Sequence, residues 1–398
     1  MPVIEVKNLT KVFGKNTKEA LKMIADGKSK AEILEKTGCT VAVKNASFSV
    51  YKGEFFVIMG LSGSGKSTLI RLLNRLIEPT EGSILIDGKE ISTLDKQELR
   101  KIRREKLSMV FQRFALFPHR TILENAEFGL EIQKMDKEER RKKAIEALKL
   151  VGLDGYFDQY PDQLSGGMQQ RVGLARALTN DPEVLLMDEA FSALDPLIRK
   201  DMQEELLDLQ TKMKKTIIFI THDLDEALRL GDRIALMRDG EIVQIGTPEE
   251  ILMNPANAYV EKFVEDVDRS KVLTAKNVMK RPETINIDRH GPRVALERMR
   301  AEGISSILVV DSNRKLHGYV TADDALQARS QNINDLHHIL KTDIEKIEKD
   351  TPLKDIFNMI YDSKIPIAVV EDEKLVGILV RGSIIAGLAS EGEVNEVE

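Results

Sequence analysis

The chain has 398 residues and a formal net charge of −6, and 31% of its residues are charged. A chain of this length is expected to form two or three domains, and its slightly acidic balance argues against wholesale nucleic-acid binding. The single cysteine, Cys39, excludes a disulfide framework and any multi-cysteine zinc site.

The hydropathy pattern bears on the relation to membranes. No apolar run approaches the length of a membrane span, and the N-terminus lacks a secretory signal. We therefore expect a protein that reaches a membrane only through a partner, from the cytoplasmic side.

A strand pattern opens the chain and ends on an aromatic residue. Residues 3–6 alternate like an edge strand, and the pattern continues toward a loop at Phe13. The ring of Phe13 is a candidate for stacking on an adenine base, an interaction worth ~1–3 kcal/mol by analogy with base stacking. Burial of this ring in the core is the alternative.

A helical insert is predicted at about residues 15–40. Thr17 is expected to cap its first helix, and Ser29 with Glu32 forms the capping box of a second helix that stops at Gly38. Such short helices persist only when they pack on something else. We expect a packing or docking element here, without chemistry of its own.

A glycine-rich loop follows the strand pattern Phe55–Met59. The loop Gly60–Thr68 reads Gly-Leu-Ser-Gly-Ser-Gly-Lys-Ser-Thr and opens a helical pattern, which is the setting of a phosphate-binding P-loop. Its backbone N–H groups would surround the β- and γ-phosphates, and the helix N-terminus adds partial positive charge. Lys66 would reach the phosphate oxygens and the Ser67 hydroxyl would bind Mg²⁺. The pattern predicts a nucleoside triphosphate site rather than a plain glycine-rich turn.

The strand pattern Leu107–Gln112 ends on a glutamine, and an irregular aromatic segment surrounds that residue. Exposed apolar loops of this kind are typical of a socket for a partner, although a hydrophobic loop folded into the core has the same composition. The apolar residues of this segment are Phe111, Phe114, Leu116, Phe117 and Pro118.

A second glycine loop follows the charged amphipathic helix predicted over residues 136–150, whose charge run is most simply a solvated face. Ser165, Gly166 and Gly167 precede an apolar helical pattern, so they form a second candidate phosphate site. Two such loops for one triphosphate suggest a sandwich in which each of two subunits supplies one half.

Two later strand patterns end in polar residues. The first, from Pro182, ends in Asp188 and Glu189, where the aspartate is placed to hold the Mg²⁺ shell and the glutamate to orient or deprotonate water. The tight loop Ser192–Asp195 follows. The second strand pattern, from Thr216, ends at His222, in the position where α/β sheets place ligands.

The ordered set of motifs resembles the ATP-binding cassette (ABC) ATPases over residues 3–250 or so. The resemblance implies an α/β fold, with a P-loop domain of mixed sheet and helical subdomain, and it implies that Glu189 and His222 are catalytic. Met168 departs from the family, which usually has glutamine there. Ser67, Gln112 and Asp188 match the Mg²⁺-binding positions. The positions that match the family's nucleotide-binding pattern are Phe13, Ser62, Gly63, Ser64, Gly65, Lys66, Ser67, Thr68, Gln112, Ser165, Gly166, Gly167, Asp188 and Asp195.

The C-terminal part is an internal duplication. Gly291-Pro292 and Thr351-Pro352 lie 60 residues apart, and each copy follows the βαββα plan of a CBS domain. The first copy has Thr321 and Asp324 in the T-x-x-D pattern that binds a nucleotide ribose in CBS domains, and the second copy lacks both polar groups. The predicted domains are 1–267 for the ATPase, 273–333 and 334–390 for the α/β CBS pair, and 391–398 for an acidic tail.

The whole chain is similar to the ATPase subunits of glycine betaine/proline osmoprotectant importers, which share the insert, the signature and the CBS pair. That resemblance implies ATP and Mg²⁺ as cofactors. It also implies a homodimer, permease subunits that work with a substrate-binding protein, and a place at the cytoplasmic face of the membrane. Regulation by ionic strength or cyclic di-AMP through the CBS pair is implied as well.

A basic patch could take part in that regulation by contacting anionic lipid, with the acidic tail as a competitor. Its candidate residues are Lys280, Arg281, Arg293, Arg298 and Arg300. Three other functions stay open at this stage. They are an amino-acid or polyamine importer ATPase, a soluble ABC protein of DNA repair or translation, and a nucleotide sensor without activity.

Overall fold

A computed structural model describes residues 1–112, 115–363 and 365–388 of the chain. The chain divides into two compact units, Met1–Val264 and a second unit that begins at Glu265. No helix of the described residues is long and apolar enough to cross a membrane. Phe114 of the predicted aromatic socket and the predicted acidic tail, 391–398, lie outside the described residues.

The first unit contains two sheets and the helices around them. Its strands are β1 (Pro2–Phe13), β2 (Thr40–Tyr51), β3 (Phe55–Met59), β4 (Glu81–Ile86), β5 (Lys89–Glu90), β6 (Leu107–Val110), β7 (Val184–Asp188), β8 (Thr216–Thr221), β9 (Arg233–Arg238) and β10 (Glu241–Gly246). Its helices are α1 (Thr17–Ala25), α2 (Lys30–Thr37), α3 (Lys66–Leu73), α4 (Lys96–Glu105), α5 (Ile122–Ile132), α6 (Lys137–Leu150), α7 (Gly166–Thr179), α8 (Pro196–Met213), α9 (Leu224–Leu230), α10 (Pro248–Met253) and α11 (Ala258–Val264).

The larger sheet has six strands in the order β10-β9-β3-β8-β7-β6. All neighbours are parallel except β10, which pairs antiparallel with β9. Strands β3, β7 and β8 are buried at every position, which explains why their sequences are continuous apolar runs. The loops after these three strands lie at one edge of the sheet, and they carry the glycine loop, Glu189 and His222.

The smaller sheet is antiparallel, with the order β2-β1-β4-β5. The prediction of an edge strand at residues 3–6 is wrong, because β1 pairs with β2 on one side and β4 on the other. Alternating hydropathy reports one buried face and does not reveal how many neighbours a strand has. The buried faces of the two sheets share one core, in which the rings of Phe48 and Phe56 stack with centroids 5.3 Å apart.

The helical insert packs on the end of β1 and the start of β2. The capping box of Ser29 and Glu32 is confirmed, as is the stop at Gly38, which has a left-handed backbone with φ 65°. The prediction that Thr17 caps α1 is wrong, since Asn16 occupies the cap position and Thr17 is the first helical residue. The insert has its own small core, formed by Val12, Ala20, Ile24, Ile33, Cys39 and Val41.

The helical subdomain consists of α5, α6 and α7, which pack against one another. Helix α6 matches the amphipathic helix predicted over 136–150, and the Asp136 side chain caps it by accepting from the N–H groups of Glu138 and Glu139. Two short helices, α10 and α11, follow the large sheet. Pro255 lies in the break between them, because it cannot continue a helix.

The second unit contains two sheets of identical topology, which confirms the duplication. Its strands are β11 (Thr284–Asn286), β12 (Ser306–Val310), β13 (Leu316–Thr321), β14 (Lys346–Glu348), β15 (Ile367–Glu371) and β16 (Lys374–Leu379). Its helices are α12 (Ala275–Val278), α13 (Pro292–Glu302), α14 (Ala322–Ser330), α15 (Leu353–Asp362) and α16 (Arg381–Leu388). In each sheet the first strand is parallel to the second, and the third is antiparallel to it.

The segments that lead into the two repeats are exchanged between their cores. Leu273, Ala275 and Val278 lie in the core of the second repeat, and Leu336 lies in the core of the first. The limits 273–333 and 334–390 for the two CBS domains therefore remain predictions. The two hydrophobic cores do not coincide with these ranges, because each core includes residues from the range of the other. Each repeat depends on the other for part of its buried surface.

Candidate nucleotide-binding and catalytic site

The glycine loop between β3 and α3 has the backbone shape of a phosphate cradle. Gly65 has φ 105°, and a Cβ atom there would lie 2.2 Å from the carbonyl oxygen of Ala42. Only glycine therefore fits at this position. Gly63 also has a left-handed backbone, with φ 80°, and a Cβ there would meet nothing within 4 Å. The loop is thus closed on the side of Ala42 and open at Gly63.

The Lys66 side chain is buried under this loop, with only 5% of its surface exposed. Its Nζ donates to the carbonyl oxygens of Gly60, at 2.8 Å, and Leu61, at 3.2 Å. Burial lowers the pKa of Lys66, and the nearby carboxylates of Glu189 and Asp188 partly oppose this shift. An ammonium group held in this way suits a phosphate oxygen as a further partner.

Ser67 and Asp188 meet at the foot of α3. The Ser67 hydroxyl donates to Asp188 Oδ1 at 3.0 Å, and Arg71 Nη2 lies 3.5 Å from Asp188 Oδ2. Burial raises the pKa of the Asp188 carboxyl, although the bonds from Ser67 and Arg71 act against this. A hydroxyl beside a carboxylate is an oxygen ligand pair of the kind that Mg²⁺ prefers together with phosphate, so these residues fit that cation.

Residues of two other predicted motifs contact the Glu189 carboxylate. Gln112 Nε2 donates to Glu189 Oε2 at 3.2 Å, and His222 Nδ1 lies 3.6 Å from the same oxygen. Gln112 also donates to the hydroxyl of Ser192, which in turn donates to the Glu189 carbonyl oxygen at 2.9 Å. The glutamate has a left-handed backbone with φ 47°, and its N–H is bonded to the carbonyl of Ile220 on β8. The strand order thus brings together residues that lie far apart in sequence.

A cavity of about 270 Å³ opens above the glycine loop and holds seven of the predicted site residues. These are Ser62, Gly63, Gly65, Lys66, Ser67, Thr68 and Glu189. A larger cavity, of about 640 Å³, lies at the opposite end of the strands, with Lys52, Asp87 and Glu183 in its wall. None of the predicted site residues lines this second cavity, so we place the chemistry at the smaller one.

Comparison with known proteins agrees with this geometry. Residues 43–192 match the ABC transporter family, and residues 275–331 and 335–390 match the CBS domain. The glycine betaine transport ATP-binding protein OpuAA of Bacillus subtilis is 64% identical, over 99% of this chain and 94% of its own length. The chain belongs to the ABC transporter family. It is an ATPase subunit of that family, with an α/β cassette and a CBS pair, as the sequence predicts.

Other relatives and a solved structure extend the comparison. The glycine betaine/carnitine transport ATP-binding protein GbuA of Listeria monocytogenes is 64% identical, over 99% of both chains. The glycine betaine/proline betaine protein ProV of Escherichia coli is 50% identical, over 98% of this chain and 99% of its own. The dimeric structure of MJ0796, a bacterial ABC transporter cassette, matches with a TM-score of 0.52 and 39% identity, over 62% of this chain and 98% of that one.

Several predicted residues of the ABC ATPase lie outside the cavity. Phe13 is 41% exposed at the end of β1, and Lys11 Nζ lies 4.9 Å from its ring centroid. Ser64 is buried behind the glycine loop, where its carbonyl oxygen accepts from the N–H of Gly240. The Asp195 side chain caps α8 by accepting from the N–H of Ile198 at 3.1 Å.

The signature residues of the ABC ATPase form the N-terminus of α7. The Ser165 hydroxyl caps this helix, accepting from the N–H of Met168 at 3.4 Å, and Ser165 and Gly166 are exposed. Gly167 is buried, and a Cβ there would lie 2.7 Å from a methyl group of Ile198. The departure at Met168 falls within the helix, beyond the exposed residues.

The T-x-x-D residues of the first CBS repeat are engaged with other protein groups. The Thr321 side chain caps α14 and also donates to the carboxylate of Asp324. Lys341 Nζ lies 2.6 Å from Asp324 Oδ2, and this bond lowers the pKa of the carboxyl. In the second repeat Ser383 bonds only to backbone groups of Val380 among the described residues. Of the two residues predicted to bind a ribose, Asp324 is thus paired with Lys341, and Thr321 is bonded to Asp324.

Two groups of residues at the candidate site were not predicted from the sequence. Arg71 reaches Asp188, and its position four residues after Ser67 on the same helix face could have revealed it. Lys30, Thr40, Val41 and Ala42 also line the cavity, and Lys30 and Thr40 lie in the insert, which was expected to have no chemistry. No local signal identifies these four, because only the tertiary packing of α2 and β2 brings them to the glycine loop.

Proposed function

We propose that this ATPase energises the import of a compatible solute, a quaternary amine of the glycine betaine/proline type, through membrane permease subunits. The relatives OpuAA, GbuA and ProV support the solute class, since each is called a glycine betaine transport protein and matches nearly the full chain. The observation that supports hydrolysis is the convergence of Gln112 and His222 on the carboxylate of Glu189.

Different residues of the site have different roles in the transfer of the γ-phosphoryl group to water. Lys66 and the N–H groups of residues 62–68 hold the phosphates, and the Phe13 ring stacks on the base. Ser67, Gln112 and Asp188 would hold Mg²⁺, which neutralises phosphate charge when bound. Glu189 orients the attacking water and accepts its proton. His222 contacts both the Glu189 carboxylate and the γ-phosphate and keeps them in position.

The signature residues act on the nucleotide of a second copy. Ser165 and Gly166 are exposed at the start of α7 and do not line the cavity of their own subunit. A helix N-terminus with free N–H groups suits an anion, and the related cassette MJ0796 is described as dimeric. We place Ser165, Gly166 and Gly167 against the γ-phosphate of the partner, and Asp195 beside them as the cap of the following helix.

The permease is expected to contact the aromatic segment that surrounds Gln112. Phe111 is 36% exposed. Phe117 instead packs on Phe128, with ring centroids 4.5 Å apart, and its N–H donates to Asn125. The predicted socket therefore packs partly against α5, and among its described residues Phe111 and Pro118 are exposed. Docking there would place the ATPase at the cytoplasmic face of the membrane, beside a permease that works with a substrate-binding protein.

The CBS pair is proposed to regulate turnover through ionic strength, anionic lipid or an adenine dinucleotide such as cyclic di-AMP. Lys280, Arg281, Arg293 and Arg300 are exposed. Arg298, predicted as part of the same patch, donates to the carbonyl oxygen of Thr284 and is less available. Screening shortens the Debye length from ~10 Å at 0.1 M to ~3 Å at 1 M salt, so weak contacts of this patch with lipid respond to osmotic shrinkage.

A reconstituted transporter tests this function. The subunit is assembled with its permease in vesicles of anionic lipid, and ATP-driven uptake of labelled glycine betaine is measured over a salt titration. We expect uptake that needs ATP and an intact Glu189, with a salt threshold that moves when Arg281, Arg293 and Arg300 are replaced by Gln. Uptake of an amino acid or polyamine instead, without betaine uptake, would overturn the assignment of the solute.

A further inference from the structure

Lys30, the first residue of α2, is a cation at the nucleotide cavity that the P-loop motif does not include. It lines the cavity together with Gly63, Gly65 and Lys66. Its side chain reaches the turn at Gly240, where a Cβ atom would lie 3.3 Å from Lys30 Cε. A Cβ at Gly65 would lie 3.6 Å from the Gly240 Cα, so Lys30 and the phosphate loop flank the same glycine.

The insert holds Lys30 firmly in this place. Ser29 and Glu32 close the capping box directly around it, so the start of α2 is fixed. Ile33, one turn later, is 1% exposed and packs in a core with Val41, which itself lines the cavity. Lys30 is therefore attached through packed side chains to the strand that forms one wall of the site.

The positive charge of Lys30 is poorly compensated by the protein. Burial lowers the pKa of Lys30, and the carboxylates of Asp239 and Glu241 oppose this shift only in part. Glu241 is already paired with Lys44 at 2.5 Å, and Asp239 lies 3.4 Å from Arg238 Nε. Within the described part of the chain, Lys30 Nζ makes no hydrogen bond and no ion pair. A half-buried ammonium group without a close partner is a favourable place for an anion.

We propose that Lys30 binds the polyphosphate of the nucleotide, as a second lysine contributed by the insert. The inference rests on the proposed nucleotide site and extends it, because it gives the insert a direct part in binding. The two lysines approach from different elements. Lys66 lies beneath the loop, bonded to its carbonyls, whereas Lys30 comes from α2 beside Gly240.

Binding of the non-hydrolysable analogue AMP-PNP with Mg²⁺ to the full-length protein tests the inference. Lys30→Met keeps the aliphatic chain and removes the charge. We expect about a 10-fold weaker affinity, in the range of a lost charge-assisted hydrogen bond in a partly exposed site. The loss should shrink as salt rises toward 1 M, because screening weakens a charge contact. Lys30→Arg should restore most of the affinity.

Three controls separate the alternatives. Lys18→Met changes an exposed lysine of the same insert and should leave affinity unchanged. Lys30→Ala removes the stem, so a loss with Ala but not with Met would assign Lys30 a packing role and overturn the inference. Equal binding by Lys30→Met and the unmodified protein would overturn it too. If Lys66→Ala also binds as well as the unmodified protein, the nucleotide site itself is misplaced.

Discussion

His222 Nδ1 lies 3.6 Å from Glu189 Oε2, and the two residues directly follow the neighbouring parallel strands β8 and β7. The strand pairing therefore sets the distance between them, rather than any local sequence relation. We expect His222→Ala to bind ATP normally and to hydrolyse it roughly 10²-fold more slowly, because the glutamate and the γ-phosphate lose a common support. Unchanged turnover in this variant, with ATP affinity preserved, would remove His222 from the mechanism.

Asp188 predicts a dependence of stability on pH. Its pKa is raised by burial, so the ionised form is disfavoured in the folded state. Ionisation of Asp188 therefore destabilises the folded state at pH values above the ordinary aspartate pKa. This penalty disappears at low pH, where the carboxyl is protonated in both the folded and the unfolded state. Asp188→Asn should raise the thermal midpoint of the nucleotide-free protein at neutral pH, where a gain of about 1 kcal/mol would appear as roughly 2–4 °C. The gain should vanish toward pH 3.

The control for this prediction is Asp201→Asn, which replaces an exposed aspartate of α8. It should leave the thermal midpoint nearly unchanged at both pH values. A destabilised Asp188→Asn variant at neutral pH would mean that the bonds from Ser67 and Arg71 outweigh the burial of the carboxylate.

The proposed two-subunit site predicts complementation. Lys66→Ala removes the phosphate lysine and Gly166→Asp places a carboxylate at the signature, so each homodimer lacks both composite sites. A mixed dimer retains one intact site and should recover ATP hydrolysis that neither homodimer has. Differently tagged subunits show whether heterodimers form. If they form and no activity is restored, either the site is not shared between two subunits or its two copies do not work independently.

The ion pair of Asp324 and Lys341 predicts how the CBS pair responds to a nucleotide. A ribose hydroxyl would have to replace Lys341 at Asp324, from which it now lies 2.6 Å away. Lys341→Met should therefore bind cyclic di-AMP about 2–5-fold more tightly, in line with the loss of a competing, partly exposed ion pair. Asp324→Asn should bind it more weakly, as measured by calorimetry.

Lys276→Met is the matched control, since Lys276 forms a comparable pair with Asp350 at 3.2 Å in the same unit. It should bind cyclic di-AMP like the unmodified protein. Weaker binding in Lys341→Met would show that this lysine assists the nucleotide instead of competing with it. Absence of binding in all forms would exclude this ligand.

Most of the candidate site could be predicted from sequence, because its residues lie at or directly after the ends of apolar strand patterns. Parallel strands that are buried on both faces read as apolar runs, and their carboxyl ends gather at one edge. Asp188, Glu189 and His222 follow such runs, and the glycine loop follows another. The order of the strands in the sheet is enough to bring these residues together, and the resemblance to ABC ATPases implies that order.

Other features depend on tertiary packing, and no signal in the neighbouring sequence predicts them. The position of Lys30 beside the phosphate loop results from the small core that joins α2 to β2. The exchange of leading segments between the CBS repeats likewise depends on which core accepts Leu273 and Leu336. A short apolar segment shows that it will be buried, but it does not show where.

Hydrolysis by Glu189→Gln is the most direct test of the account. The substitution keeps the shape of the side chain and its bond with Gln112 while removing the proton acceptor. We predict that ATP binding is preserved and that phosphate release falls by roughly 10²–10⁴-fold, the usual contribution of a general base, with an ATP-bound dimer accumulating. Near-normal phosphate release by this variant would contradict the assignment of Glu189 and the catalytic site built around it.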